Sequence, residues 1–325
     1  MNETFKDILK NLACALDTKG TTDPLVHFKG GYAFVYTDYY AETEVPEECQ
    51  GTLTLSSLKK AGDFPLKQTA WAGEVVHMAR GRTKMAIAKE GVGLKKIQRK
   101  PLPLEGGIVP VGKLLEGMDF CRKTLLQHDS FSSLSCFFFR KDGVYATNGE
   151  SFSFFPCKFS NNFCLPHDAY SKIKGFQAEE CTLSGSESLT FTKKGSSFFC
   201  PTFQTDTLPP FKRILSQQFS ALFKGDSSAW DINPKEIATL VKNATDVLLT
   251  GKGKNIFLQI NGAGSIYKQP LFPSPETKTV YISKETLSAI LSAEEIGLND
   301  KCIKVSLPDG KLHISSLLSG RNHAI

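Results

Sequence analysis

The sequence lacks the features that mark membrane-bound and disulfide-stabilised proteins. No stretch approaches the roughly 20 apolar residues that a membrane-spanning helix needs. The nine cysteines are scattered from Cys14 to Cys302 without a CxxC pair. This pattern predicts reduced thiols, and neither a zinc site nor a disulfide framework. The amino terminus, MNETFKDILKN, carries acids where a signal peptide needs a basic start and an apolar run. We therefore expect a soluble protein of the cytosol, with idle glycosylation sequons.

The short motifs of common enzymes are also missing. The sequence has no GxxxxGK[ST] phosphate loop, no HExxH zinc motif and no GxSxG nucleophile elbow. Six histidines stand singly, without metal-ligand spacing. The glycine pairs at 91–93 and 251–253 lack the helix that a dinucleotide-binding loop opens. We expect no enzyme activity, no metal and no cofactor. An active site assembled from distant residues remains the least favoured alternative.

What the sequence does contain is a threefold repeat with two halves. One half is an extended apolar stretch that runs into a short amphipathic helix, at residues 52–61, 163–174 and 280–291. The other half is a longer helix that precedes it, predicted at residues 5–16, 111–126 and 234–249. Six helices in three pairs, separated by strands, indicate an architecture rather than a catalytic site.

The chain length and the positions of candidate linkers agree with three domains. A chain of 325 residues is too long for one ordinary core. Proline, glycine and charge concentrate at 99–107 and again at 224–228, which favours boundaries there. We predict domains at residues 1–105, 106–224 and 225–325. Each would have two helices packed on antiparallel sheets, which makes the fold class α+β.

Turn residues predict three β-hairpins. The first has Asp142-Gly143 between two strand-like runs at 134–146. The second lies at 189–198 and turns at 193–195, and the third lies at 303–314 and turns at Asp309-Gly310. The strands of these hairpins would form the sheets on which the helices pack.

Basic residues lie outside the apolar stripe of every predicted helix. The helix at 234–249 has an apolar stripe of Ile237, Leu240, Val241, Ala244, Val247 and Leu248. For any single helix, lysines on the other face are ordinary solvated residues. Their recurrence in six helices favours a common role. The residues are Lys6, Lys10, Lys59, Lys60, Lys113, Arg122, Lys123, Lys172, Lys174, Lys235, Lys242 and Lys284.

The middle of the chain resembles bacterial β sliding clamps. Residues 143–154 (GVYATNGESFSF) resemble the strand-turn-strand of that family. Residues 200–215 (CPTFQTDTLPPFKRIL) resemble its segment in which a proline, an aromatic and two basic residues lead to an aliphatic. The segments FCLPHDAYSKIK and LTFTKKGSSFF between them fall where the family has its own strand, helix and hairpin. The order of these motifs inside a threefold repeat makes the resemblance specific.

The resemblance implies that the protein acts by encircling DNA and not by catalysis. In that family two protomers of three domains close head to tail into a ring around duplex DNA, with helices inside and sheets outside, and tether a polymerase. All the basic residues named above except Lys284 would then face DNA. A net charge of +6 with dispersed lysines suits a loose, sequence-independent contact. The implied partners are double-stranded DNA, a DNA polymerase, a clamp loader and a second copy of the chain.

The resemblance also implies a pocket for short motifs of the polymerase and the loader. Thr147, Gly149 and Phe152 would form one wall. Pro209, Arg213 and Ile214 would form the adjoining wall, with Leu134 nearby. The alternative is that Phe152 and Ile214 are plain core residues.

Two departures from the family affect this pocket. Glu150-Ser151 replaces the usual histidine and arginine, and the ending SGRNHAI lacks the methionine-proline-methionine of many bacterial clamps. They predict a divergent partner motif and favour a phage-encoded clamp. The competing hypothesis is a phage structural or assembly protein that keeps the domain repeat, forms another oligomer and ignores DNA. The sequence leaves the oligomeric state open.

Overall fold

A computed structural model describes residues 4–16, 22–92, 107–126, 133–184, 188–203, 209–227, 230 and 232–318. The segment 204–208, most of the 99–107 boundary and the ending 319–325 lie outside the described residues. The chain divides into two compact units, one of residues 1–116 and 160–204, the other of residues 117–159 and 205–325. No described helix is long and apolar enough to cross a membrane.

The described helices are α1 (Phe5–Leu12), α2 (Leu55–Ala61), α3 (Val111–Cys121), α4 (Ala169–Phe176), α5 (Phe211–Leu215), α6 (Pro234–Lys242) and α7 (Lys284–Ile290). The described strands are β1 (Leu25–Lys29), β2 (Tyr32–Tyr36), β3 (Tyr40–Glu44), β4 (Gly51–Thr54), β5 (Thr69–Ala70), β6 (Val75–Arg80), β7 (Thr83–Ala88), β8 (Gly107–Ile108), β9 (Cys136–Arg140), β10 (Gly143–Thr147), β11 (Ser151–Pro156), β12 (Phe163–Pro166), β13 (Glu180–Ser184), β14 (Ser188–Lys193), β15 (Ser196–Pro201), β16 (Ser220–Lys224), β17 (Ala244–Lys252), β18 (Asn255–Gly262), β19 (Ser265–Pro273), β20 (Thr279–Tyr281), β21 (Glu295–Leu298), β22 (Cys302–Ser306) and β23 (Leu312–Ser316).

The first unit is built on a large antiparallel sheet with the strand order β4-β1-β2-β3-β15-β14-β13-β8. A smaller sheet has the order β5-β6-β7. The pairing of β3 with β15, in which Ala41 faces Phe198, joins the two sequence segments of this unit. Alternation of buried and half-buried residues along β1 places one face of the sheet in the core.

Helices α1 and α2 lie side by side in the first unit. Thr4 caps α1 through a capping box with Asp7, and Phe5, Ile8 and Leu12 form its buried stripe. The backbone N–H of Lys6 donates to the carbonyl of Gly62 over 2.8 Å. Helix α1 ends at Leu12, so the predicted helix at 5–16 is four residues too long.

The second unit has a large antiparallel sheet with β9, β10, β11, β23, β22, β21 and β16 in that order. A second sheet has the order β19-β18-β17-β20. The core of this unit includes Ile237 of α6, Leu287 of α7 and Leu258 of β18. The architecture of both units is α+β with antiparallel sheets, as the sequence predicts.

The predicted helix at 234–249 is wrong in its second half. Helix α6 stops at Lys242, and Ala244, Val247 and Leu248 belong to strand β17. Strand β17 pairs with β18 on one side and β20 on the other. These pairings satisfy its backbone, and Val247 to Leu249 are buried in succession, so tertiary structure overrides the local helical pattern. Likewise, the helix at 111–126 is α-helical only to Cys121, and a 3₁₀ turn follows at Arg122–Thr124.

All three predicted hairpins are confirmed. Strands β9 and β10 pair with Gly143 opposite Arg140, and β14 and β15 pair with Lys193 opposite Ser196. Strands β22 and β23 are joined through a 3₁₀ turn at Pro308–Gly310. Asp309 and Gly310 both have positive φ there, at 61° and 72°. This conformation favours glycine and, among other residues, Asp and Asn.

Candidate functional site

The first predicted wall is a tight turn between β10 and β11. The Asn148 side-chain oxygen accepts hydrogen bonds from the backbone N–H groups of Glu150 and Ser151, at 3.0 and 2.6 Å. The Thr147 hydroxyl accepts from the N–H of Gly149 at 3.1 Å and donates to the Ser151 carbonyl at 2.8 Å. Gly149 has φ of 93°, which a side chain would strain. The sequence Thr-Asn-Gly therefore specifies this turn.

The second predicted wall is the short helix α5. Helix α5 begins directly after Pro209-Pro210, and proline readily precedes or opens a helix. Pro209 and Ile214 are half-buried, and Arg213 is exposed. Leu215 at the end of α5 is 40 % exposed. This wall therefore offers apolar side chains beside a cation.

Phe211 fixes α5 to the sheet that carries the first wall. Its ring stacks on that of Tyr145 in β10, with centroids 4.9 Å apart. Its centroid lies 5.9 Å from that of Phe152 and 5.1 Å from that of Phe138. Sequence reasoning did not assign Phe211 a role, although it is the aromatic of the recognised segment. The four rings bring the two walls into one region of the second unit.

The predicted pocket residues differ in how far partners can reach them. Phe152 and Thr147 are buried, whereas Leu134 is half-buried. A Cβ added to Gly149 would lie 3.9 Å from Cδ1 of Leu134, so Leu134 borders the turn. Phe152 therefore packs beneath the turn and α5 as part of the core. Leu134 and the half-buried part of α5 are open to solvent in part.

In the first unit, the predicted DNA-facing lysines are exposed with one exception. Lys6 and Lys10 lie on α1, and Lys59 and Lys60 lie on the adjacent α2. The exception is Lys172, whose ammonium lies 4.4 Å from the Tyr39 ring centroid and 4.0 Å from an Asp168 oxygen. The exposed Lys113 pairs with Glu116 at 2.7 Å, and the exposed Lys174 donates to the hydroxyl of Tyr170 at 3.1 Å.

In the second unit, Arg122, Lys123, Lys235 and Lys242 are all exposed. Arg122 forms an ion pair with Asp119 at 3.1 Å. Acids on the same helices thus neutralise part of the basic charge. Exposed ion pairs contribute little to stability and leave these side chains available to other partners.

The buried cysteine thiols are structural and unreactive. Burial raises the pKa of Cys14 and of Cys49 to about 12, and it also raises the pKa of Cys121. Such thiols stay protonated near neutral pH and are poor nucleophiles. Among the residues that the structure describes, no group of three or more His, Cys, Asp or Glu side chains is placed to hold a metal ion.

Comparison with solved structures identifies the fold. The chain superposes on the β sliding clamp of C. crescentus with a TM-score of 0.76, 12 % identity and 97 % of each chain covered. It superposes on the DNA polymerase III β subunit of Thermotoga maritima with a TM-score of 0.71, 14 % identity and 97 % of each chain covered. For the DNA polymerase sliding clamp of Bacillus subtilis the values are 0.72, 9 % and 98 % of each chain.

The architecture is therefore that of a sliding clamp. More narrowly, the chain has the fold of the bacterial DNA polymerase III β subunits over almost its whole length. No protein-family model and no curated protein sequence matches this chain. The likeness thus lies in the fold, and the sequence has diverged far from those of the solved clamps.

Proposed function

We propose that this protein is a DNA sliding clamp, a ring-shaped processivity factor that encircles duplex DNA and tethers a replicative polymerase. The observation that carries the proposal is the fold likeness over 97 % of both chains to a protein described as a β sliding clamp. A partial likeness could arise from one shared domain. A likeness over the full length of both chains supports the same assembly by analogy of fold.

The proposed assembly is a homodimer of three-domain protomers. The domains are residues 1–105, 106–224 and 225–325, and the helices line the ring. The exposed lysines of α1 and α2 in the first unit, and of α6 in the second, support a basic inner surface. Lys172 would contribute least to DNA binding, because Tyr39 and Asp168 hold its ammonium.

The proposed role needs no catalysis. A sliding ring gains from contacts that attract phosphate without fixing register, because it must move along the duplex. The exposed lysines and the partly neutralising acids on the same helices suit such contacts. The site of action would be the cytoplasm, and the phage origin stays a prediction.

The proposed partner surface comprises the Thr147–Ser151 turn together with α5. A polymerase or a clamp loader would insert apolar side chains of a short peptide beside Leu134 and Ile214, and Arg213 would orient the peptide. The exposed Glu150 stands where the family has a basic pair, so the partner peptide is expected to differ in charge from those of bacterial clamps.

Two measurements test the proposal. Light scattering should give twice the chain mass for a closed dimer. A polymerase with its loader should make longer products on a primed circular template when the protein is present, because tethering reduces dissociation. A phage assembly protein, the second candidate, would leave the product length unchanged.

A further inference from the structure

A chain of buried hydrogen bonds crosses the second unit and centres on His313 of β23. Nδ1 of His313 lies 3.2 Å from the Ser153 hydroxyl, and Nε2 lies 3.3 Å from the Thr286 hydroxyl. The Ser153 hydroxyl also bonds to that of Thr124, and the Thr286 hydroxyl lies 2.9 Å from that of Ser283. We call these five residues the His313 network. It connects the end of the α3 region, β11, β23 and the N-cap of α7.

The network is a polar cluster within a core that is mostly apolar. His313 is 5 % exposed, and Ser153 and Thr286 are buried with it. Burial lowers the pKa of His313 to about 4, against the opposing effect of Glu285. The neutral imidazole has one donor and one acceptor nitrogen, and hydroxyl groups can complement either. The buried polar atoms of the network are thus satisfied, which such groups require.

The register of β11 against β23 explains what this arrangement controls. Ser153 pairs with His313, and Ser151 pairs with Ser315, whose hydroxyls are 3.1 Å apart. Successive side chains of a strand point to opposite faces. The serines of β11 therefore face the network, whereas Phe152 faces the other way, toward Phe211.

The polar and apolar faces of β11 together fix its register. A slip of one residue would exchange the faces of β11, burying a serine hydroxyl beneath Phe211 and exposing Phe152 to the imidazole. A slip of two residues would place either Ser151 or Phe155 opposite His313. The first would put Glu150 in the position of Phe152, and the second would leave the imidazole without its hydroxyl on β11. Buried polar groups are best attested in this role of setting register.

We propose that His313 is a positioning residue of the partner-binding surface. By locking β11 against β23, it holds Phe152 under Phe211 and keeps the Thr147–Ser151 turn in the geometry that a partner peptide meets. This inference rests on the proposed function only in naming the partner surface. The positioning itself is a property of the isolated chain.

Hydrogen–deuterium exchange of the full-length protein tests the positioning without any partner. His313→Leu removes both imidazole bonds while keeping a buried side chain. We expect exchange in residues 147–154 to rise about tenfold, because opening of this segment no longer breaks the network. His313→Gln keeps a donor and an acceptor and should return most of the protection.

Leu258→Ala is the matched control. Leu258 is fully buried in β18, which belongs to the other sheet of the second unit and does not pair with β11 or β23. Melting temperatures show whether the two variants lose a similar amount of overall stability. Equal exchange in residues 147–154 for His313→Leu and Leu258→Ala would overturn the proposal, since His313 would then act through stability alone. If His313→Leu does not fold, Ser153→Ala serves instead. It removes one hydroxyl of the network, and we again expect exchange in residues 147–154 to rise.

Polymerase stimulation separates this inference from the proposed function. If wild-type protein gives no stimulation, the proposed function fails while the exchange result still stands. If wild type stimulates and His313→Leu loosens residues 147–154 without weakening stimulation, the link between β11 and the partner surface is overturned. A selective loss in His313→Leu that His313→Gln restores supports it.

Discussion

The ring of Phe211 stacks on the ring of Tyr145, with centroids 4.9 Å apart and planes inclined by 23°. This pair ties a five-residue helix, too short to be stable alone, to the central strands of a buried sheet. Phe152 and Phe138 pack against the same ring. The position of Arg213 and Ile214 therefore depends on one aromatic side chain.

Replacing Phe211 with alanine should detach α5 from the sheet. We expect a loss of about 3 kcal/mol in the free energy of unfolding, together with loss of polymerase stimulation. Urea denaturation and primer extension measure the two effects. Phe159→Ala is the control, because Phe159 is also buried, packing on Phe139 in the same unit. Stimulation that survives Phe211→Ala would remove α5 from the partner surface.

Ile214→Asp should abolish polymerase stimulation while the dimer persists. The carboxylate would place a charge where we expect an apolar anchor of the partner to bind. Ile214 is only half-buried, so we expect little effect on folding. Ile108→Asp makes the same change at a residue that is 83 % exposed in the first unit, and it should leave stimulation intact. Equal activities of the two variants would contradict the pocket assignment.

Reversal of charge at Lys6, Lys10, Lys123 and Lys242 to glutamate should weaken loading and retention on DNA. All four side chains are exposed on or beside helices, so the domains should stay folded. Fewer phosphate contacts also predict a shallower dependence of binding on salt concentration. Binding titrations over a range of salt concentrations measure this slope.

The control for that variant reverses Lys141, Lys158, Lys194 and Lys301, which are exposed in turns and loops. It changes the net charge by the same amount. If both variants lose DNA retention equally, the effect is one of total charge, and a basic lining on the helices is not supported.

Acid should destabilise the second unit through His313. Its pKa in the fold is about 4, below the ordinary value of 6.5. The unfolded chain therefore binds a proton between these pH values that the folded chain does not. The stability is complete above pH 6.5 and falls as the pH decreases toward 4. His313 should account for a loss of about 2 kcal/mol between pH 7 and pH 5.

Urea denaturation of the wild type and of His313→Gln at both pH values isolates this contribution. The variant lacks the titrating imidazole, so its stability should decrease less on acidification. Parallel pH profiles would show that His313 is not responsible for the difference.

The hairpins could be predicted from the sequence because their information is local. Asp309 and Gly310 adopt positive φ in their turn, and Lys141-Asp142 form the turn that precedes Gly143, the first residue of β10. Turn chemistry of this kind acts over a few residues. The second half of the 234–249 helix could not be predicted in this way. Val247 and Leu248 fit a helical stripe equally well, and only pairing with β18 and β20 makes them a strand.

The same distinction between local and long-range information applies to the candidate site. The Thr147–Ser151 turn is indicated by the resemblance of residues 143–154 to the strand-turn-strand of the clamp family, and its hydrogen bonds join neighbours. The role of Phe211 depends on rings in three different strands. His313 and Ser153 are 160 residues apart in the sequence, so no local pattern brings them together.

Retention on circular DNA tests the central claim most directly. The protein is loaded onto nicked circular DNA by its clamp loader, and the complex is separated from free protein by gel filtration at moderate salt. We predict that the protein elutes with the circle and is released when one restriction cut makes the DNA linear, because a ring slides off free ends. Equal retention on circular and linear DNA, or none on either, would contradict encirclement.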